Sequence, residues 1–386
     1  MHWVSTLSRE QTIPRAVAET CGAVLTQMGG RSVDLVLIFA SPELGGDFAY
    51  LGRLIQQQLG SAVLVGCAGG GLIAQGQEIE DEPGLVVTAA HLPGVTVTGF
   101  HLEMADLPDL DAPPLAWQER LGVMTDGPFL LMAGGGMDLE VLLAGLDYAF
   151  PTSPKLGGIA SGSQPLLFLN EQCHTRGVNG VALRGNIAMD PLVAQGCRPL
   201  GQKHEITGCE DYLLTQLDGM PPVEVLGRVL GAASQRDRQL AQRNALFVGL
   251  LADEFKQASV NFLIRNLMGV DRQRGALAIG QPLRVGQTLQ FHIRDGAASS
   301  EDLDQLLHNY VANSGASTVQ GCVLFSCLGR GESFYGSPNH DAQAVQRHLG
   351  AIPVGGFFCN GEIGPVGATT YLHGYTAAIG FFRPLS

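Results

Sequence analysis

The chain has 386 residues, 45% hydrophobic and 15% charged, which is a globular composition long enough for two or three domains. Its formal net charge of -13 argues against non-specific binding to nucleic acid or to an anionic membrane, since both repel such a surface. No segment approaches the about 18 consecutive apolar residues of a membrane span.

The opening MHWVSTLSREQTIPRAVAE lacks the basic-then-apolar layout of a signal peptide, so a cytoplasmic protein is expected. Eight cysteines form no CxxC pair and no framework, which points to free thiols in a reducing compartment. The ten histidines are scattered, and no HExxH or paired zinc-ligand spacing occurs. Neither a metal nor another cofactor is expected. The 52 glycines, about twice the usual ~7% share, read as turns and close backbone approaches.

In chain order, the first expected element is a helix. It carries Val17, Cys21, Val24, Leu25 and Met28 on one face and ends at Gly29-Gly30. VDLVLIFAS (33–41) reads as a strand buried on both faces. A helix with Phe48, Leu51, Leu54, Ile55 and Leu59 at helical spacing follows. AVLVGCAGGGLI (62–73) is a strand entering a glycine loop, and 84–103 reads as two strands joined around Leu92-Pro93-Gly94.

The same order recurs at FLLMAG (129–134), DLEVLLAGLDYAF (138–150), KLGGIASGS (155–163), LLFLN (166–170) and GVNGVALRGN (177–186). It recurs again at GCVLFSC (321–327), HDAQAVQRHLG (340–350), IPVGGFFCNGEIG (352–364) and YTAAIGFF (375–382). A degenerate fourth copy is read from ALFVGLLAD (245–253) through FLIRNLM (262–268) to LRVGQTLQFHIRD (283–295). One such unit cannot bury both faces of its strands, so the units must pack together.

The expected fold class is α/β: mixed β-sheets covered by helices, built from repeated β-α-β-hairpin units in two related halves. The break lies near 221–244, where tandem proline opens a helix ahead of a polar Arg/Gln-rich run. That gives domains 1–225 and 226–386.

Two glycine loops can be aligned, GCAGGGLI (66–73) over GFFCNGEI (356–363). Gly66 then matches Gly356, Gly71 matches Gly361, Ile73 matches Ile363, and Leu72 faces Glu362. One loop carries a carboxylate where the other is apolar, which makes Glu362 the first candidate for ligand contact. Arg198 follows Cys197 in a glycine- and proline-bounded turn, and Arg330 follows Cys327 in SCLGRG. A guanidinium fork suits a carboxylate, and a glutamate suits an ammonium, so an amino acid would satisfy both. Arg265 in FLIRN is a weaker third arginine. GCAGGG and MAGGGM do not fit a phosphate-binding loop or a dinucleotide fingerprint.

The runs VAQGCRPLGQKHEIT (193–207), YLLTQLDGMPPVEVL (212–226), SCLGRG (326–331) and VGGFFCNGEIGP (354–365), with the GCAGGGLI segment, together resemble the FIST (F-box and intracellular signal transduction) family, FIST N plus FIST C. The resemblance spans about Val33 to Phe382. It implies a signalling input module that binds a small ligand, such as an amino acid or similar carboxylate. The expected contacts are Glu362, Asn360, Gly361, Arg330, Cys327 and Arg198. Family members often accompany output domains, and the two FIST regions fill this chain, so a separate signalling output protein is the expected partner. Leu72 departs from the family, whose N-terminal loop often carries a Glu there.

Two other classes compete. Cys327 and Cys359 at strand ends, with His373 or His340 as base, suit a cysteine-dependent enzyme. A protein-interaction scaffold is the other.

Overall fold

Continuous apolar runs need cover on both faces, and parallel pairing with helical crossovers provides it. The computed structural model describes residues 1–60, 63–109, 111–252, 262–314 and 318–385. In it, Leu35–Ala40 runs parallel to Val63–Ala68, Phe129–Ala133 to Lys155–Ile159, and Gly321–Cys327 to Val354–Cys359. The crossover helices are Leu51–Leu59, Leu139–Ala149 and His340–Leu349. An antiparallel return strand flanks each pair: Leu85–His91, Val178–Gly185 or Ala377–Arg383. An outer strand lies beyond it: His2–Ser8, Val95–Leu102 or Ala188–Ala194.

Between its second strand and its return strand, each copy exports a hairpin to another copy's sheet. Gly71–Ala74 and Gln77–Glu80 dock on Val354–Cys359. Leu167–Leu169 and Gln172–His174 dock on Val63–Ala68. Glu362–Val366 and Thr369–His373 dock on the edge of Lys155–Ile159. The exchange is cyclic, and it completes three six-stranded sheets.

The β-α-β-hairpin unit therefore occurs three times, twice in the N-terminal half and once in the C-terminal half. The unit is longer than its sequence signal suggested. It begins with the outer strand and a further helix, Ile13–Met28, Pro114–Leu121 or the C-terminal part of Gly296–Ser314. In the third copy a barrel is inserted after the outer strand.

The equivalence of the copies shows in their glycines. A β-carbon on Gly66, Gly157 or Gly356 would lie 1.8, 1.9 or 1.8 Å from the carbonyl oxygen of Ile38, Leu131 or Leu324 on the parallel neighbour. Each is a close backbone approach that only glycine permits. The inner faces of the sheets share one core, in which Phe39, Phe325 and Phe357 meet at ring-centroid distances of 5.2–6.2 Å. Each outer face is covered by helices in its own apolar cluster.

Four expectations are corrected. The chain opens on the strand His2–Ser8, and the helix follows it. Val17, Cys21, Val24 and Met28 are buried, but Leu25 is 47% exposed, at the edge of the apolar stripe. The strands either side of Leu92-Pro93-Gly94 exist but do not pair, since they enter different sheets. The region read as a fourth copy is antiparallel throughout: Leu246–Leu251, Phe262–Asp271 and Thr288–Arg294 are barrel strands. Its residue 253 lies outside the described residues. Barrel strands and buried parallel strands are equally apolar in short runs, so the runs alone do not separate them.

By spatial contact, Met1–Ala194, Leu303–Leu372 and Thr376–Ser386 form one compact unit, and Gln195–Asp302 with His373–Tyr375 the other. The second unit is a closed six-stranded barrel with its own core, carrying the proline-opened helix Pro222–Ala232 and the helix Gln235–Gln242. The boundary expected at 225/226 divides sequence motifs and falls inside the first of these helices. Among the described residues, no helix is long and apolar enough to cross a membrane.

Candidate functional site

The three copies act as internal controls for one another. Leu72 pairs with Phe357, Leu167 with Cys67 and Glu362 with Gly158, in each case the residue after the close-approach glycine. Leu72, Leu167 and Glu362 are therefore equivalent, as are Ile73, Phe168 and Ile363. The loop alignment read from sequence holds in the strand register. Leucine fills this position twice, so the scaffold itself does not require a carboxylate there.

The same asymmetry recurs around it. The backbone N–H groups of Ser41, Gly134 and Cys327 donate to the carbonyls of Gly84, Gly177 and Thr376. Cys327 and Thr376 thus stand where the other copies carry serine or glycine. Ala40 and Ala133 are matched by Ser326, the strand residue before each of these donors. Gly70, Ser161 and Asn360 occupy equivalent loop positions, and Asn360 is exposed. The chemically capable side chains gather at the C-terminal ends of the third copy's parallel strands, where α/β sheets place their ligands.

Glu362 is fully buried. Its Oε2 accepts from the Thr376 N–H (3.0 Å) and Oγ1 (2.8 Å), and its Oε1 accepts from Cys359 Sγ (3.3 Å). Burial pushes its carboxyl up to about 7, against the lowering effect of the Thr376 hydrogen bonds and the Arg330 charge. Burial, reinforced by Glu362, pushes the Cys359 thiol well above its ordinary value. Cys327 and Cys359 are register partners on adjacent strands. Cys327 is half-buried and Cys359 buried.

Arg330 is also fully buried, and its fork is occupied. Nε and Nη2 donate to Asp341 Oδ2 (2.8 Å) and Oδ1 (3.2 Å). Burial disfavours the guanidinium charge, but Asp341 outweighs it, and the pKa is raised. Burial would likewise raise Asp341, yet Arg330, with help from His340 and Ser326, holds it well below the carboxylate range. Ser326 Oγ and His340 Nδ1 lie 2.8 and 2.9 Å from the same carboxylate, and His340 stacks on Tyr335.

The first copy's exported hairpin brings Glu78 to this cluster, where Oε1 accepts from Ala342 N at the start of the crossover helix (2.9 Å). Burial and the Asp341 charge push Glu78 up to about 8. From the second copy, Ser161 Oγ bonds to the Phe358 carbonyl and accepts from Gly70 N (2.8 Å).

The structure thus brings together Cys327, Arg330, Asn360, Gly361 and Glu362. Arg198 lies in the barrel unit, paired with Asp237 and with Asp295 at 3.1 Å. Arg265 is there too, against Gln281. Sequence reasoning missed Asp341, Glu78, Ser326 and Thr376. The available signal was Asp341 in the first turn of a helix that follows the arginine.

The FIST N domain matches residues 34–220, and the FIST C domain matches residues 222–365. The chain belongs to the FIST family. FIST domains serve signal transduction, and Glu362 lies within the FIST C match. An uncharacterized protein of Mycobacterium tuberculosis H37Rv is 32% identical over 383 residues, covering 97% of this chain and 98% of its own. One of Mycobacterium bovis is 32% identical over 375 residues, covering 95% of each. An F-box/LRR-repeat protein of Arabidopsis thaliana is 29% identical over 126 residues, 32% of this FIST chain and 23% of that protein. Among solved structures, a cyanuric acid hydrolase is similar over 100% of both chains, with a TM-score of 0.34 and 9% identity. The cyanuric acid hydrolase of A. caulinodans gives a TM-score of 0.32 and 12% identity, again over 100% of both chains.

Proposed function

We propose that this FIST protein is a cytoplasmic sensor that binds a small molecule, an amino acid or similar small carboxylate, at the strand ends of its third copy, and passes the signal to a separate output protein. One observation carries the reading: Glu362 is the carboxylate at a position the other two copies fill with leucine. Strongly perturbed pKa values cluster at functional sites. Asn360 and the half-buried Cys327 form the accessible rim, Gly361 is buried beside them, and Glu362 holds a proton beneath. Arg330 acts through Asp341, setting the charge that Glu362 feels. A reducing compartment suits eight cysteines that form no disulfide among the described residues.

The test is a thermal-shift and calorimetric screen of amino acids and small carboxylates. A ligand at 100 times its dissociation constant adds about 2.7 kcal/mol. Glu362→Gln and Asn360→Ala are each expected to weaken the hit about tenfold or more. The binding heat should depend on the buffer's ionisation enthalpy near pH 7, because ligation changes the Glu362 proton. A ligand whose affinity and proton release ignore both substitutions would place the site elsewhere.

A further inference from the structure

The barrel unit contains a cleft of ≈ 590 Å³, lined by the strand Cys197–Glu210, the turn holding Asp218 and Met220, the helix Pro222–Ala232, and Ala233, Ser234 and Asp237 beyond it. This is within the size range of small-molecule sites, about 300–1,000 Å³. His204 lies on its wall, 6% exposed. Asp218 fixes the ring: Oδ2 is 2.7 Å from His204 Nδ1, and Oδ1 accepts from Glu205 N at 2.8 Å. An ionised aspartate keeps the proton on Nδ1, so Nε2 presents a lone pair. That Nε2 is buried and has no hydrogen-bond partner. A buried polar atom without a partner calls for an occupant.

The charges in the cleft select among ligands. Asp218 is held by His204 and Glu205, and Asp237 by Arg198. Both carboxylates therefore already have donor partners, whereas Arg228 has no anion among the described residues. Arg228, exposed on the helix, touches Met220 Sδ at 3.1 Å and pairs with no carboxylate among the described residues. The unmet complement is one anion for Arg228 and one neutral donor for Nε2. Leu200, Val225 and Val229 supply an apolar wall.

We propose that this cleft binds a small hydroxycarboxylate with an apolar chain. The carboxylate sits on Arg228, the hydroxyl donates to His204 Nε2, and the chain lies against Leu200, Val225 and Val229. The site is independent of the one at Glu362.

The full chain is tested by calorimetry with 2-hydroxy-4-methylpentanoate, 3-phenyllactate, 4-methylpentanoate and leucine. At least one hydroxy acid is expected to bind, and the analogue without the hydroxyl to bind about tenfold or more weakly, because it leaves Nε2 unpaired. Arg228→Gln, a change on an exposed helix face, should weaken binding about tenfold, while Glu362→Gln leaves it unchanged. The His204 side-chain ¹⁵N resonance should move with the hydroxy acid and not with 4-methylpentanoate. No binding at millimolar concentration would overturn the proposal. So would equal affinity for leucine or 4-methylpentanoate, or an affinity indifferent to Arg228→Gln. A loss with Glu362→Gln would place the ligand at the other site.

Discussion

Replacing Glu362 by glutamine tests the buried carboxyl directly. Glutamine keeps the shape, and its carbonyl oxygen can still accept from Thr376 N and Oγ1. It removes the titration and puts an amide NH2 where Oε1 accepts from Cys359 Sγ, a cost present at both pH values. The carboxyl titrates near 7 in the folded protein, against the usual 4.5. A raised folded pKa means the folded state binds the proton more tightly. The associated stability is fully present below 4.5 and is lost as the pH rises through 7. Linkage then gives a loss of about 2 kcal/mol between pH 5.5 and pH 8 for this one group. Glu78 titrates in the same direction, but it is present in both proteins and cancels in the difference. Urea unfolding at the two pH values, followed by circular dichroism, measures the effect. The stability of Glu362→Gln relative to the parent should improve by about 2 kcal/mol on going from pH 5.5 to pH 8. Parallel stability curves would show that Glu362 ionises as freely in the fold as in the unfolded chain. The account of the site would then fall.

Two further outcomes follow from the packing. Arg330→Met leaves Asp341 charged, buried and without its guanidinium, and should cost about 3–5 kcal/mol in urea unfolding, with part recovered by the double change Arg330→Met/Asp341→Leu. A cost under about 1 kcal/mol, typical of an exposed pair, would show that water reaches the bridge. Gly157→Ala forces a β-carbon to 1.9 Å from the Leu131 carbonyl oxygen and should abolish soluble expression, whereas Gly135→Ala meets nothing within 4 Å and should express normally. Normal yield and thermal midpoint for Gly157→Ala would refute the close approach.

Much of the scaffold was legible because glycine spacing reports backbone approach directly. Gly66 and Gly356 lie at matching distances from Ile73 and Ile363, and the register confirms the pairing. The hairpin exchange was not legible. Ile79 and Leu167 are apolar whichever sheet receives them, so the hydrophobic pattern marks a docked strand without naming the dock. The opening strand was missed because His2–Ser8 mixes Ser5, Thr6 and Ser8 with Trp3 and Val4, and all five are buried here. Those hydroxyls are satisfied inside the fold: Ser5 by Thr88, Thr6 by the Val87 carbonyl and Ser8 by Glu19. Of the site, Glu362 was legible as a polar residue in an apolar series. Asp341 was not, because an acid in the first turn of a helix usually serves the helix dipole. Glu78 was not either, since it is about 280 residues away in sequence and arrives only through the exchanged hairpin.

The exchange also sets the charge state of the buried carboxyls. Around Arg330 stand three buried carboxyls, Asp341, Glu362 and Glu78, and a single guanidinium cannot neutralise them all. Asp341 takes the guanidinium in a bidentate pair, and the hydrogen bonds to Glu362 and Glu78 offset only part of their cost of burial, so these two favour the protonated form. Both consequently titrate near neutrality, at about 7 and about 8. Each lies on a strand exported from its own copy: Glu78 reaches the third sheet, and Glu362 pairs with Gly158 of the second. A change of charge on either group therefore acts at a seam between copies. The small, tightly packed residues of those seams, Gly157 and Gly356 among them, leave little slack to absorb it locally.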